Sequence, residues 1–180
     1  MAIVAESIRR YSTFFKKSHA TSVLDYGTGN MRNALFMANE GFKVFAADLP
    51  EQIDKLRDGP GLNNIERLLA TDELPDSYLN VDLVLSTYVF NIIMENSLRH
   101  EYINNAVANL KEGGYLLMEV RCRKQQERCD TTCVDYFSCA ECSKTLTHEE
   151  LDALLNPYGL RRISHYYRSH AVSAIFQRVV

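Results

Sequence analysis

The sequence predicts an α/β fold: a mostly parallel seven-stranded sheet, helices on both faces and an antiparallel strand pair at the C-terminus. Two observations support this prediction. Short apolar runs alternate along the chain with stretches whose apolar residues recur at helical spacing. Glycines and polar residues separate these segments. The 180 residues suit one domain, which we predict to span residues 1–180.

The N-terminal half supplies three predicted strands and three predicted helices. Helical spacing of apolar residues predicts a first helix over Ile3–Lys17 and a second over Arg32–Glu40, which Gly41 ends as a C-cap. A shorter third helix is expected at Glu51–Arg57. The strands expected between these helices are Thr21–Asp25, Val44–Ala47 and Ile65–Ala70.

The C-terminal half continues the alternation and then closes the sheet. A helix is predicted over Leu98–Leu110, and Lys111–Gly114 stops it. Thr147 and Glu150 have the spacing of a capping box, which predicts the start of the last helix. The strands expected in this half are Val81–Ser86, Tyr115–Val120, Leu160–Tyr167 and Ala171–Phe176.

The composition limits the class of protein. Apolar residues make up 46% of the chain and charged residues 24%, which is typical of a globular protein and excludes a disordered or collagen-like chain. No run approaches the roughly 20 apolar residues that a membrane helix needs. The amphipathic segment Met1–Lys17 lacks the uninterrupted apolar stretch of a signal peptide, so we expect a cytoplasmic protein without a membrane partner.

The net charge of −3 conceals two basic stretches. Residues 121–128 contain Arg121, Arg123, Lys124 and Arg128, and residues 161–178 contain four arginines and no acid. These stretches either form a local patch for an anionic partner such as a nucleic acid, or they are a solvated face. The sequence leaves both interpretations open.

The end of the first predicted strand carries the strongest functional signal. Asp25 ends the strand, and Gly27 and Gly29 let the backbone turn and approach a ligand closely. Asp48 ends the second strand, where a carboxylate can bind both hydroxyls of a ribose. A dinucleotide fingerprint needs a third glycine, but that position is Arg32, and Asp25 would repel a pyrophosphate. S-adenosylmethionine, which has a ribose, an adenine and an amino acid tail but no phosphate, fits better.

The run Asp25-Tyr26-Gly27-Thr28-Gly29 resembles motif I of the class I S-adenosylmethionine-dependent methyltransferases. Asp72 before Glu73-Leu74-Pro75 resembles the acid of that family that meets the adenine amino group, and Leu110–Leu117 resembles its Leu-Lys-x-Gly-Gly approach to the fifth strand. The resemblance implies a Rossmann-like class I methyltransferase fold, S-adenosylmethionine as cofactor, and methyl transfer. The cofactor-binding residues that it implies are Asp25, Gly27, Thr28, Gly29, Asn30, Asp48, Leu49, Asp72 and Ser86.

The candidate catalytic residues are Tyr88 and Asn91, which follow the fourth predicted strand. A packed ring and a loop-capping amide are the structural alternatives for these two residues. The strand lacks a following Asp/Asn-Pro-Pro-Tyr motif or Pro-Cys pair, so the signatures of amino and cytosine-ring methylation of DNA are missing. Possible general bases are His148, His165 and His170. The runs Tyr88–Ile93 and Leu116–Arg121 are also similar to uncharacterised bacterial methyltransferases associated with DNA phosphorothioation systems.

All five cysteines lie between Cys122 and Cys142, in a predicted cysteine-rich insertion at about residues 121–146. Because the insertion follows the fifth strand, we expect it to cover the ligand face of the sheet. Disulfides are disfavoured in the cytosol, whereas four thiolates can hold zinc. The candidate ligands are Cys129, Cys133, Cys139 and Cys142. Lid cysteines without a metal and catalytic or redox thiols are the alternatives.

The sequence as a whole predicts a methyltransferase that uses S-adenosylmethionine and acts on an unidentified acceptor, with a small molecule as the first interpretation. Two alternatives stay open. One is an enzyme of the same fold that modifies DNA or RNA, because of the basic stretches. The other is a non-catalytic, S-adenosylmethionine-binding regulatory subunit, because no clear catalytic signature follows the fourth strand.

Overall fold

The computed structural model describes residues 3–122, 145–168 and 171–179. Within them, helices and strands alternate in the predicted order, and both kinds of element are numbered along the chain. The helices are α1 (Glu6–Lys17), α2 (Arg32–Asn39), α3 (Pro50–Leu56), α4 (Asn96–Asn109) and α5 (His148–Leu155). The strands are β1 (Ser22–Tyr26), β2 (Lys43–Asp48), β3 (Arg67–Ala70), β4 (Val81–Thr87), β5 (Leu110–Arg121), β6 (Leu160–Arg168) and β7 (Ala171–Arg178).

The seven strands form one sheet in the order β3-β2-β1-β4-β5-β7-β6. Strands β1 to β5 pair in parallel, whereas β7 is antiparallel to both β5 and β6. The predicted Rossmann-like class I architecture is therefore confirmed. The chain builds outward from β1 through β2 and β3, then returns to place β4 on the other side of β1. Open α/β sheets bind ligands at such a reversal, beyond the carboxyl ends of the strands.

Buried apolar residues form one core on each face of the sheet. Ile8, Phe15, Met37 and Ile53 pack helices α1, α2 and α3 onto one face. On the other face, a second core packs α4 and α5; its helical members are Tyr102, Ile103, Ala106, Leu151 and Leu155. β4 is buried at every position, including its polar residues Asp82, Ser86 and Thr87.

The structure differs from the sequence prediction at the start of β5. The segment Lys111–Gly114, predicted only to stop a helix, lies inside the strand, because Leu110 already pairs with Val81. The pairing register shifts between Val81 and Leu83. Gly113 has a φ of 74°, which places the turn within the strand rather than before it.

Four short 3-10 helices were not predicted, since three to six residues carry too little periodicity to be recognised. They span Leu62–Asn64, Thr71–Asp76, Phe90–Ile92 and Asn156–Tyr158. The predicted capping box of α5 is confirmed: the Glu150 backbone amide donates to the Thr147 hydroxyl at 3.2 Å, and the Thr147 amide donates to the Glu150 carboxylate at 2.7 Å. In the described part of the chain, no helix is long and apolar enough to cross a bilayer.

Candidate cofactor and substrate site

A cavity of about 570 Å³ opens beyond the carboxyl ends of β1, β2 and β4. Its volume lies within the range typical of sites for small ligands. Seven residues singled out from the sequence line it: Gly27, Thr28, Gly29, Asn30, Asp48, Leu49 and Tyr88. The fold therefore brings the loop after β1, the end of β2 and the residue after β4 into one site.

The loop after β1 has a backbone that needs its glycines. Gly27 and Gly29 have φ values of 89° and 55°, in the left-handed region that side chains rarely adopt. A Cβ atom added to Gly27 would lie 2.2 Å from Cγ2 of Val89, so this glycine lets the segment after β4 pack against the loop. A Cβ atom added to Gly29 would meet nothing within 4 Å, because Gly29 faces open space.

Asp48 fixes the loop from the end of β2. One carboxylate oxygen accepts a hydrogen bond from the Gly29 amide at 2.7 Å, and the other accepts one from the Leu49 amide at 2.8 Å. Gln52 on α3 donates to the Gly29 carbonyl at 2.9 Å. A carboxylate has about four acceptor sites, so two remain on Asp48 for hydroxyl groups of a ligand.

Asp25 lies beneath the loop and does not line the cavity. Only 1% of the residue is exposed, because it stands in the buried strand β1. Its Oδ2 accepts a hydrogen bond from the Thr28 hydroxyl at 2.8 Å, while Oδ1 has no partner among the described residues. Burial raises the pKa of Asp25 to about 6, although the bond from Thr28 opposes the rise.

Three other predicted site residues lie outside the cavity lining. Asp72 is exposed on a 3-10 helix, and its neighbour Thr71 lines the cavity. Ser86 is fully buried and accepts a hydrogen bond from the Tyr102 hydroxyl at 2.8 Å, so its contact is with α4. Asn91 is 1% exposed, and its Oδ1 has no partner in the described residues.

Tyr88, the first residue after β4, reaches the cavity through an unusual backbone conformation. Its φ is 60°, and 37% of the residue is exposed. Its backbone amide donates to the Glu119 carbonyl of β5 at 2.7 Å, which fixes the position of the turn. Partial burial of the hydroxyl and the adjacent Glu119 carboxyl raise the pKa of Tyr88 well above its ordinary value. Tyr88 is therefore a neutral phenol at physiological pH.

The cavity also contains residues to which the sequence reasoning had given no role there. Asn33 and Thr87 join two elements under the cavity, with a hydrogen bond of 2.9 Å between their side chains. Arg32, which stands where a dinucleotide fingerprint has its third glycine, and Tyr102 of α4 both line the cavity. The remaining lining residues are Tyr26, Thr71, Val89, Ile92, Ile93, Leu98 and Glu101. The helix α4 was predicted, but no local pattern indicates that Leu98, Glu101 and Tyr102 line the cavity, because they reach it only through tertiary packing.

The two candidate histidines in the described residues lie away from the cavity. The rings of His148 and His165 stack with centroids 4.0 Å apart, and Nδ1 of His148 lies 2.6 Å from the Tyr167 hydroxyl. Arg162 forms a double ion pair with Asp152 at 2.9 Å beside them. His170 lies outside the described residues. The pair therefore belongs to the contact between α5 and β6 and not to the cavity.

The basic stretch 161–178 is not a row of free cations. Each of its four arginines has a partner. Arg161 donates to the Asn156 carbonyl, and Arg178 donates to the carbonyls of Val107 and Leu110. Arg162 forms an ion pair with Asp152, and Arg168 forms one with Glu6. In the other stretch, Arg123, Lys124 and Arg128 lie outside the described residues.

The predicted zinc ligands Cys129, Cys133, Cys139 and Cys142 also lie outside the described residues, as does most of the predicted insertion at 121–146. Cys122 is described, and it is buried in the core beneath α5. Within residues 3–122, 145–168 and 171–179, no group of three or more histidine, cysteine, aspartate or glutamate side chains is arranged to hold a metal ion.

Comparison with known proteins indicates a family for the chain. The family model described as a methyltransferase domain matches residues 3–178. A search among curated proteins finds no match.

Three solved structures illustrate the likeness of fold. The 1,6-didemethyltoxoflavin-N1-methyltransferase of Burkholderia thailandensis, solved with 1,6-didemethyltoxoflavin and S-adenosylhomocysteine, has a TM-score of 0.70 and 18% identity over 97% of this chain and 79% of that chain. Human N-acetylserotonin methyltransferase, in complex with S-adenosylmethionine, has a TM-score of 0.73 and 17% identity over 97% of this chain and 52% of that chain. An S-adenosylmethionine-dependent methyltransferase from Aquifex aeolicus has a TM-score of 0.67 and 16% identity over 93% of this chain and 89% of that chain.

Proposed function

We propose that this chain, which belongs to the methyltransferase domain family, transfers the methyl group of S-adenosylmethionine to a small, largely apolar molecule. The observation that carries the proposal is the composition of the cavity. A polar half, made by the loop after β1 and by Asp48, adjoins an apolar half made by the segment after β4 and by α4.

The polar half fits S-adenosylmethionine. Asp48 has two free acceptor sites for the ribose hydroxyls, and the open space at Gly29 admits a ligand close to the backbone. The unpartnered Oδ1 of Asp25 lies beneath the loop and is a buried acceptor for the ammonium group through water. Arg32 lines the same cavity and can pair with the carboxylate of the amino acid tail. The cofactor supplies a methyl group activated by its bond to a sulfonium.

The apolar half favours a small apolar acceptor. Ile92 and Leu98 line this half of the cavity with 59% and 48% of their surface exposed. Large apolar side chains grouped around an opening are typical of a binding site, because their contact with water is unfavourable. Two of the similar structures are of enzymes named for 1,6-didemethyltoxoflavin and for N-acetylserotonin, which supports a small-molecule acceptor.

A nucleic acid acceptor has less support. Each arginine of residues 161–178 already has a partner within the protein, and Arg162 and Arg168 are paired with carboxylates that reduce the local positive charge. A labelled DNA or RNA probe that binds at low salt and is released as salt rises would favour this alternative.

A transfer assay tests the proposed function. The purified protein is incubated with S-adenosylmethionine carrying a tritiated methyl group and with cell extract separated into low-mass, protein and nucleic acid fractions. We expect label in the low-mass fraction, and we expect Asp48→Ala to abolish most of it while the exposed variant Asp58→Ala does not. Label confined to protein or nucleic acid would contradict the small-molecule acceptor.

Three further sequence-based expectations stay predictions. One is that residues 1–180 form a single methyltransferase domain, and another is a cytoplasmic location, which cell fractionation would test. The third is zinc at Cys129, Cys133, Cys139 and Cys142, for which elemental analysis of the purified protein is the direct test.

A further inference from the structure

We propose that Tyr88 and Glu119 form a relay that removes a proton from the methyl acceptor, and that the acceptor therefore carries a nucleophilic N–H or O–H group. This inference rests on the proposed function, because it concerns the same cavity. It adds a chemical class for the acceptor and a residue, Glu119, that does not line the cavity itself.

Tyr88 stands where the acceptor and the cofactor loop meet. It lines the cavity, and the next residue, Val89, packs against the Gly27 position of the loop after β1. Its φ of 60° is uncommon for a residue with a large side chain, and it directs the chain out of β4 at this point. Such backbone conformations cluster at functional sites.

Glu119 is a buried carboxyl group for which the fold has no evident use. It lies in β5 opposite Thr87 of β4, with 5% of the residue exposed. Its Oε2 has no hydrogen-bond partner among the described residues. A buried carboxyl oxygen without a partner is unfavourable by about 1–3 kcal/mol or more, so its presence calls for an explanation.

The two residues are neighbours across strands β4 and β5, because the Tyr88 amide donates to the Glu119 carbonyl at 2.7 Å and Thr87 pairs with Glu119. The Glu119 carboxyl raises the pKa of the Tyr88 phenol, together with the burial of the phenol, so Tyr88 keeps its proton at neutral pH. A neutral phenol accepts a proton only if it passes its own proton on, and Glu119 is the acceptor beside it. The charged and titratable groups that face Tyr88 besides Glu119 are Arg32 of α2 and Tyr166 of β6. Tyr166 also faces Glu119 and, from α1, Arg10 and Tyr11.

In the proposed step, methyl transfer to the acceptor is coupled to loss of the acceptor's proton. A lone pair of the acceptor nitrogen or oxygen forms a bond to the methyl carbon, and the bond between that carbon and sulfur breaks. Its electron pair stays on sulfur, which becomes a neutral thioether. The acceptor loses its proton to the Tyr88 oxygen, while the Tyr88 proton passes to Glu119. The protonated carboxyl group then returns its proton to solvent.

The relay predicts which acceptors the cavity serves. An alcohol, phenol or amine needs a base when methylation would otherwise leave a proton of low pKa on the product. A carboxylate is already ionised at neutral pH and gains nothing from the pair. The structure therefore points to N- or O-methylation of a small molecule.

Four variants test the relay in the tritiated-methyl assay with the low-mass extract fraction. They are Tyr88→Phe, Glu119→Gln, the double variant, and the control Glu112→Gln, an exposed glutamate on the same strand at its other end. We expect each single variant to lower kcat by about 10²-fold. The double variant should lose no more than either one, because the residues act as a unit. Calorimetric affinity for S-adenosylhomocysteine should match that of the control.

The outcomes separate this inference from the proposed function. If the unmodified protein transfers no label, the proposed function fails and the relay fails with it. If the protein transfers label and Glu119→Gln keeps the kcat of Glu112→Gln, the relay alone is overturned. The relay is also overturned if the fold-loss in kcat of the double variant equals the product of the losses of the two single variants. If Glu119→Gln fails to fold, Tyr88→Phe tests the relay instead, because Tyr88 is partly exposed. An unchanged kcat of Tyr88→Phe contradicts the relay. A lower kcat at unchanged affinity for S-adenosylhomocysteine supports it.

Discussion

At the scale of single residues, Gly27 of the candidate site has no room for a side chain beside Val89. Gly27 has a φ of 89°, and any Cβ atom there would overlap the Val89 side chain. We expect Gly27→Ala to lower the free energy of unfolding by about 2 kcal/mol or more, through overpacking and backbone strain, and to weaken binding of S-adenosylhomocysteine. Unfolding in urea and calorimetry measure the two effects.

Gly29→Ala is the matched control, because Gly29 also has a positive φ but no neighbour within 4 Å of the added atom. Its loss of stability should be about 1 kcal/mol, from backbone strain alone. Val89→Ala added to Gly27→Ala should restore part of the lost stability. Equal losses for the two glycine variants would contradict the packing that the structure shows.

Asp25 makes the stability of the protein depend on pH. Burial raises its pKa from 3.8 to about 6, so the fold favours the protonated group. Its contribution to the free energy of unfolding therefore falls as pH rises from about 4 to about 6, by about 3 kcal/mol. Asp25→Asn should remove this fall, so the variant gains stability over the natural protein at pH 7 and not at pH 4.

Urea unfolding at a series of pH values measures this effect, with the exposed Asp58→Asn as the control. A pH profile of Asp25→Asn that parallels that of Asp58→Asn would contradict the assignment. Because a raised pKa means that the ionised Asp25 lowers stability at pH 7, we attribute its presence to ligand binding, and Asp25→Asn should weaken S-adenosylhomocysteine binding.

At the scale of elements, strands β1 and β4 are tied together at the edge opposite the cavity. Oδ2 of Asp82 accepts hydrogen bonds from the amides and hydroxyls of Thr21 and Ser22 at 2.9 to 3.1 Å, and its other oxygen pairs with Lys111. Burial raises the pKa of Asp82, but Lys111 and these donors outweigh burial and hold the pKa below its usual value.

Asp82→Ala leaves those donors without their acceptor, and we expect it to lower the free energy of unfolding by about 3 kcal/mol at pH 7. Because the pKa is depressed, the contribution of Asp82 is present above about pH 4 and is lost as pH falls below it. Affinity for S-adenosylhomocysteine at a temperature where the variant is folded should not change. A parallel loss of affinity would contradict the separation of this anchor from the site.

Elements with strong periodicity could be predicted from the sequence, and those fixed by tertiary contacts could not. The alternating apolar runs of β1, β2 and β4 and the capping box of α5 are local signals, and the structure has these elements within one or two residues of the predicted bounds. The start of β5 was missed, because it depends on the pairing of Leu110 with Val81, which no local pattern reveals. The same holds for Tyr102, which reads as a core residue and also reaches the cavity.

At the scale of the molecule, stability and ligand binding lie at opposite edges of one sheet. The carboxyl edge holds two positive-φ glycines, a positive-φ tyrosine and unpartnered buried oxygens of Asp25 and Glu119. The amino edge holds the satisfied Asp82 network. The unpartnered oxygens of Asp25 and Glu119 lie on the side of the sheet where the strand order reverses, which is where open α/β sheets bind their ligands.

The most direct test of this account is a calorimetric titration of S-adenosylhomocysteine into the purified protein and into Asp48→Ala, with Asp58→Ala as the control. We predict one bound ligand per chain and unchanged binding to the control. The affinity of Asp48→Ala should be at least about tenfold weaker, since two charged hydrogen bonds to the ribose are lost. Absence of binding to the unmodified protein, or binding that Asp48→Ala leaves unchanged, would contradict it.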